Sequence, residues 1–137
     1  MKIYFAGSIC GGREDQELYL ELISYLEQFG QVLTEHIGDK KLSASGENID
    51  KNIVYKRDSD WVKEADLIIA EVSTPSLGVG YELGLAESLG KKILCLHRKK
   101  EGKSLSKLVS GNQYLIVREY TNLDDAKRII EEFLKTK

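Results

Sequence analysis

Residues 67–70 read Leu-Ile-Ile-Ala, four apolar side chains in a row between Asp66 and Glu71. Neighbouring residues of a strand face opposite sides, so a run apolar at every position must be covered both above and below. A parallel sheet between two layers of helices meets that demand, and the rest of the chain supplies the pieces. Short strands are expected at 3–6, 31–36, 65–72, 92–97 and 114–118. Between them lie helical spacings: Leu18, Leu22, Leu26 and Phe29 within 13–29, which Gly30 ends, then helices at 49–64, 80–89 and 105–109. Asn122 caps a last helix whose apolar face is Ala126, Ile129, Ile130 and Phe133. Strands alternating with helices form right-handed βαβ units. The expected fold is therefore α/β, a doubly wound (Rossmann/flavodoxin-like) five-stranded parallel sheet with helices on both faces. One proline and no repeat or low-complexity stretch leave no boundary, so 1–137 reads as a single domain.

Composition narrows the function classes. With 42% apolar and 31% charged residues the chain is neither a disordered tail, a collagen-like fibre nor a disulfide-stapled miniprotein. Twenty Lys+Arg against 22 Asp+Glu give a formal charge of −2, so no broad field argues for a nucleic-acid polymer or a membrane, although a local anion site stays open. No apolar run exceeds four residues, and Met1-Lys2 leads into a strand rather than a signal-peptide core. Cys10 lies in a glycine-rich turn and Cys95 in an apolar run, a pattern that makes neither a disulfide framework nor a zinc site. A reduced, cytoplasmic protein without a metal is expected.

Doubly wound sheets bind ligands beyond the carboxyl ends of their strands, where the winding reverses. That rule selects the loops 7–12, 73–80 and 97–106. The segment from Pro75 to Gly84 contains glycines that let backbone N–H groups approach an anion, ahead of a helix N-terminus. It is neither a GxGxxG fingerprint, since Leu83 follows Gly80 by three, nor a Walker A loop. Glu82 here reads either as a first-turn helix acid or as a functional carboxylate. Asp58 shares its helix face with Val54, Trp61 and Val62, so it projects where an apolar side chain belongs, or sits at that stripe's wet edge. Tyr4 faces away from Ile3 and Phe5 and reads as core or site. Ser8 stands at a strand's carboxyl end among Gly7, Gly11 and Gly12. Glu71 competes with Glu82 for any catalytic role, and His36 and His97 read as strand-end residues. Cys10 and Arg13 do not make a cysteine phosphatase loop, which needs five residues between them where this chain has two.

These segments together resemble the 2′-deoxynucleoside 5′-phosphate N-hydrolases within the nucleoside 2-deoxyribosyltransferase family. The resemblance lies in Tyr4-Phe5-Ala6-Gly7-Ser8-Ile9, Gly11-Gly12-Arg13-Glu14-Asp15, Val32-Leu33-Thr34-Glu35-His36, Asp58 ahead of Trp61, Ala70-Glu71-Val72, and Pro75 through Gly84. It implies that Glu82 is a nucleophile toward C1′ of a deoxyribose, that Asp58 orients the substrate or assists the leaving base, and that Tyr4 holds the carboxylate and crowds the 2′ position. It further implies a substrate and phosphate site built by Gly7, Ser8, Ile9, Gly11, Ser76 and Gly78. Ser106 would come across a homodimer interface, and no cofactor is implied. The deoxynucleotide is then a small-molecule substrate. In one place the chain departs from the family: Cys10 stands where these hydrolases usually carry an arginine, a loss of about 1.5–3 kcal/mol at a phosphate end. Arg13, Arg98 or a lysine near 99–103 is left to compensate. Deoxyribosyl transfer between bases on unphosphorylated nucleosides, and a nucleotide-binding module without catalysis, are the alternatives. A flavodoxin-like electron carrier is a more distant one.

Overall fold

The computed structural model describes residues 1–9, 15–39, 42–43, 45–102 and 104–136. Strands β1 (Lys2–Ala6), β2 (Gln31–Val32), β3 (Leu67–Glu71), β4 (Lys92–Arg98) and β5 (Ile116–Tyr120) pair in parallel in the order β2-β1-β3-β4-β5. Five helices join them: α1 (Gln16–Leu26), α2 (Lys51–Glu64), α3 (Leu77–Ser88), α4 (Lys107–Ser110) and α5 (Leu123–Lys135). This is the doubly wound α/β sheet that the alternation of elements implies.

Side-chain parity sorts the core into two layers. Ile3, Phe5, Leu67, Ile69, Leu94 and Leu96 pack against Tyr19 and Leu22 of α1 and Ile129, Ile130 and Phe133 of α5. Tyr4, Ile68, Ala70, Ile93 and Cys95 face Val62 of α2 and Val79, Leu83 and Ala86 of α3. A fully buried aliphatic side chain contributes about 1.5–3 kcal/mol, so each layer alone outweighs any single polar contact described below. The winding reverses between β1 and β3, where Tyr4 pairs in register with Ile68 and Ala6 with Ala70. Lys91 and Lys92 fasten both layers to the start of β4. Lys91 Nζ donates to the Lys63 and Ala65 carbonyls at the end of α2, and Lys92 Nζ donates to the Phe133 carbonyl near the end of α5.

The sheet is more compact than the apolar runs suggest. β2 stops at Val32, because the Thr34 hydroxyl takes over as partner to Phe5: it accepts the Phe5 N–H at 2.9 Å and donates to the Phe5 carbonyl at 2.6 Å. Glu35–Gly38 then forms a 3₁₀ turn instead of continuing the strand. α1 ends at Leu26, so Phe29 lies outside it and is partly exposed. Gly30 is needed for a close approach rather than as a helix stop: a Cβ there would sit 2.3 Å from the Met1 carbonyl oxygen. α3 begins three residues earlier than its glycines suggest, with Ser76 as its cap. Among the described residues no helix is long and apolar enough to cross a membrane.

Candidate active site

Three elements converge on one carboxyl group beside the switch point. Tyr4, 1% exposed, projects from β1 into the layer that contains α2 and α3. Ser76 caps α3, its Oγ accepting the Val79 N–H at 3.3 Å, so the helix runs from Leu77 and Glu82 lies inside it. The expectation of a first-turn acid is therefore corrected: Glu82 is past the first turn, its carboxyl group is buried, and Oε2 has no hydrogen-bond partner. Burial pushes Glu82 up to about 7, the negative charge of Asp58 adds to the rise, and a hydrogen bond from Tyr4 opposes it. The Tyr4 phenol is held well above its ordinary range, chiefly by burial and then by Glu82. Gly78 leaves the space beside this carboxyl open: a Cβ there would stand 3.9 Å from Glu82 Oε1 and 3.8 Å from Ser76 Oγ.

Asp58 enters from α2, partly exposed, and is joined to Arg57 Nε at 2.9 Å. Arg57 also donates to Glu47 at 2.8 Å and lies 4.8 Å over the Trp61 ring. Its guanidinium is held above its usual range mainly by Glu47. His36 Nε2 is 3.1 Å from Glu47, and burial pulls His36 below its ordinary value despite that neighbour. His36, Glu47, Arg57 and Trp61 thus line one recess, of about 580 Å³. The strand-end reading of His36 is corrected to the 3₁₀ turn. Glu47 and Arg57 escaped the sequence reading, since nothing in a polar loop shows which carboxylate will reach a helix ten residues on.

The anion-binding candidates divide. Gly7 packs under the Tyr19 ring, where a Cβ would meet ring carbons at 3.0 Å, and this closeness lets the Ser8 N–H reach the Tyr19 hydroxyl at 3.0 Å. Ser8 is fully buried and its Oγ unpartnered, while Ile9 is partly buried against the α1 layer. Ser76 and Gly78 flank Glu82. Ser106 is exposed and lines, with Ser76, an apolar cavity of about 790 Å³ between α3 and α4, which Glu82 does not line. Gly11, Cys10 and Arg13 lie outside the described residues. Arg98 is not a free cation, because its guanidinium meets the buried Asp15 at 2.7 Å. Glu71 lies on the other face of the sheet from Glu82, fully buried. It accepts the Ser73 N–H at 2.7 Å, the Ser73 hydroxyl at 3.0 Å and the Tyr120 hydroxyl. A carboxylate so occupied does not compete with Glu82. Among the described residues, no three His, Cys, Asp or Glu side chains converge as metal ligands.

The family model for nucleoside 2-deoxyribosyltransferase matches residues 3–125. A 5-hydroxymethyl-dUMP N-hydrolase of Tetraodon nigroviridis is 44% identical over 138 residues, covering 97% of this chain and 96% of that protein. One of Esox lucius is 45% identical over 141 residues, covering 98% and 97%. Among solved structures, the Clostridium botulinum CMP N-glycosidase BcmB superposes with a TM-score of 0.71 at 24% identity, over 97% of this chain and 99% of that one, a likeness of fold.

Proposed function

The chain belongs to the nucleoside 2-deoxyribosyltransferase family, and on that premise we propose that it hydrolyses the N-glycosidic bond of 2′-deoxynucleoside 5′-monophosphates, releasing the base and 2-deoxyribose 5-phosphate. Relatives named N-hydrolases, matched over nearly their full length, support an N-glycosidase acting on nucleotides. The observation that carries the assignment of residues is the buried Glu82 carboxyl, with one oxygen unpartnered, beside Tyr4 and within the field of Asp58. In its ionised form Glu82 attacks C1′. The C1′–N bond breaks, its electron pair leaves with the base nitrogen, and the base takes up a proton. A water then adds its oxygen to C1′, frees the Glu82 carboxylate and loses a proton. Asp58 orients the substrate or assists the departing base, and Tyr4 holds Glu82 and crowds the 2′ position. Ser8, Gly7, Ile9, Gly11, Ser76 and Gly78 take the sugar phosphate. The sequence uses only side chains and water, so it calls for no cofactor.

Glu82→Ala is expected to abolish base release while the substrate still binds; unchanged turnover would refute the assignment. A chromatographic screen of deoxynucleosides and their 5′-monophosphates, with ribonucleotides as controls, tests the substrate class. A new nucleoside formed when a foreign base is added would instead show that a base, not water, captures the sugar.

The site is completed by a second copy of the chain. Leu77 and Leu108 are 95% and 87% exposed and rim the apolar cavity that holds Ser106, an arrangement that an isolated chain has no reason to keep. In a homodimer Ser106 is the partner's contribution to the phosphate end. Leu108→Glu should sediment as a monomer and lose turnover; a monomeric wild-type enzyme of full activity would overturn the pairing. Cys95, free and buried in β4, suits a reducing cytoplasmic setting.

A further inference from the structure

Asp15 is the N-cap residue of α1, yet its side chain makes no bond to that helix. The carboxylate instead crosses to the loop between β3 and α3, where it accepts the Thr74 hydroxyl at 3.0 Å through Oδ2, and to the end of β4, where it accepts Arg98 Nη2 at 2.7 Å through Oδ1. Asp15 and Thr74 are both buried. Thr74 stands two residues before Ser76, the cap of the helix that carries Glu82. On its other side α1 supplies Tyr19, whose hydroxyl holds the Ser8 N–H at 3.0 Å. So Ser8 is tied to α1, and α1 is tied through Asp15 to the loop that presents Ser76.

The neighbouring residue makes this anchor stiff. The Ser73 hydroxyl accepts the Arg98 N–H at 2.7 Å, which leaves its own proton to point at Glu71. Glu71 also accepts the Ser73 N–H and the Tyr120 hydroxyl, so three donors from β5 and the loop end on one buried carboxylate. Asp15, Thr74 and Glu71 are buried while Ser73 and Arg98 are partly exposed, so rotating one of the buried members leaves a donor or an acceptor unpaired away from water. Tyr120 packs in the sheet layer opposite Tyr4, and Glu71 is bonded to it there, whereas Ser73 and Thr74 lie at the loop. Their geometry concerns the two loops, not the reacting carbon.

We propose that Asp15, through Thr74 and Arg98, is a positioning residue that fixes the separation of Ser8 and Ser76 and thereby the enzyme's preference for a substrate bearing a 5′-phosphate. The inference rests on the reading of the site given above. The informative variant is Thr74→Val, which keeps the side chain's shape and removes only the hydroxyl, with Thr74→Ser as its rescue and Asp15→Asn as an independent break of the same link. The readouts are KM and kcat for a deoxynucleoside 5′-monophosphate, and inhibition constants for 2-deoxyribose 5-phosphate and for an unphosphorylated deoxynucleoside, all on proteins with wild-type circular dichroism. Expected are a rise of about tenfold in KM and in the 2-deoxyribose 5-phosphate constant, a kcat within about twofold, an unmoved deoxynucleoside constant, and recovery in Thr74→Ser. Equal weakening of both inhibitors, or a loss confined to kcat, would overturn the proposal, as would unchanged KM in both Thr74→Val and Asp15→Asn. Turnover that survives Glu82→Gln would strike down the site reading itself, and the positioning role with it, whereas a failed phosphate discrimination alone leaves that reading standing.

Discussion

Replacing Glu82 with glutamine keeps the side chain's shape and removes a charge that the protein buries at a cost. A carboxyl that ionises at 4.5 in an exposed chain and at about 7 in the folded one holds its proton more tightly when folded. Between those two values the native state binds more protons than the unfolded state, so stability falls as pH rises across that window. At about 1.4 kcal/mol per pH unit, the raised value destabilises the fold relative to a side chain that never ionises. The cost is roughly 3 kcal/mol at pH 8 and about 1 kcal/mol at pH 5, where it is the ionisation open to the unfolded chain alone. Glu82→Gln removes this penalty, and any pH-independent cost of burying the amide is the same at both values. The stability gap between variant and wild type should therefore widen by about 2 kcal/mol in the variant's favour from pH 5 to pH 8. For a chain of this length that is a shift of roughly 5–10 °C in the difference of melting temperatures. Thermal unfolding of both proteins at the two pH values measures it. A gap that is constant, or that narrows as pH rises, would show that this carboxyl is not held in the dry environment described, and the case for a poised nucleophile would go with it.

The same carboxyl gives kcat/KM an acid limb: activity should fall tenfold per pH unit well below about 7, as the nucleophile protonates. Because the Tyr4 hydroxyl stabilises the ionised form, Tyr4→Phe should move that limb to higher pH; a limb that stays in place would remove Tyr4 from contact with Glu82. Gly78→Ala puts a methyl group at van der Waals distance from Glu82 Oε1 and Ser76 Oγ. It should stabilise α3 by about 0.5–1 kcal/mol in denaturant unfolding while raising KM severalfold. Gly7→Ala forces a Cβ to 3.0 Å from the Tyr19 ring and should cost about 1–3 kcal/mol by the same measurement.

Features set by local periodicity were legible in the sequence. The uninterrupted apolar run of β3 demanded two covering layers, the spacing of Ala126, Ile129, Ile130 and Phe133 gave the buried face of α5, and alternation turned Tyr4 away from Ile3 and Phe5. What the sequence hid depends on partners far along the chain. Nothing near Thr34 shows that its hydroxyl will replace a strand neighbour for Phe5, 29 residues away, and so shorten β2. The start of α3 was hidden because Gly78 and Gly80 argue for a loop on propensity alone, whereas the Ser76 cap and the buried Val79 and Leu83 decide for helix. At the site, only the helix face that Asp58 shares with Val54, Trp61 and Val62 was visible by spacing, and the structure leaves that carboxylate partly exposed. The Arg57–Glu47 pair and the commitment of Arg98 to Asp15, 83 residues apart, were not.

Pairing between β1 and β3 also acts as a switch with only two settings. Since the strand's side chains alternate, sliding β1 by a single residue along Ile68 and its neighbours would rotate Tyr4 into the α1 layer and offer Glu82 the bare hydrocarbon of Ile3 or Phe5. Inserting or deleting one residue in this strand is thus all-or-nothing for chemistry, however well the sheet survives, and partial loss of alignment has no structural counterpart.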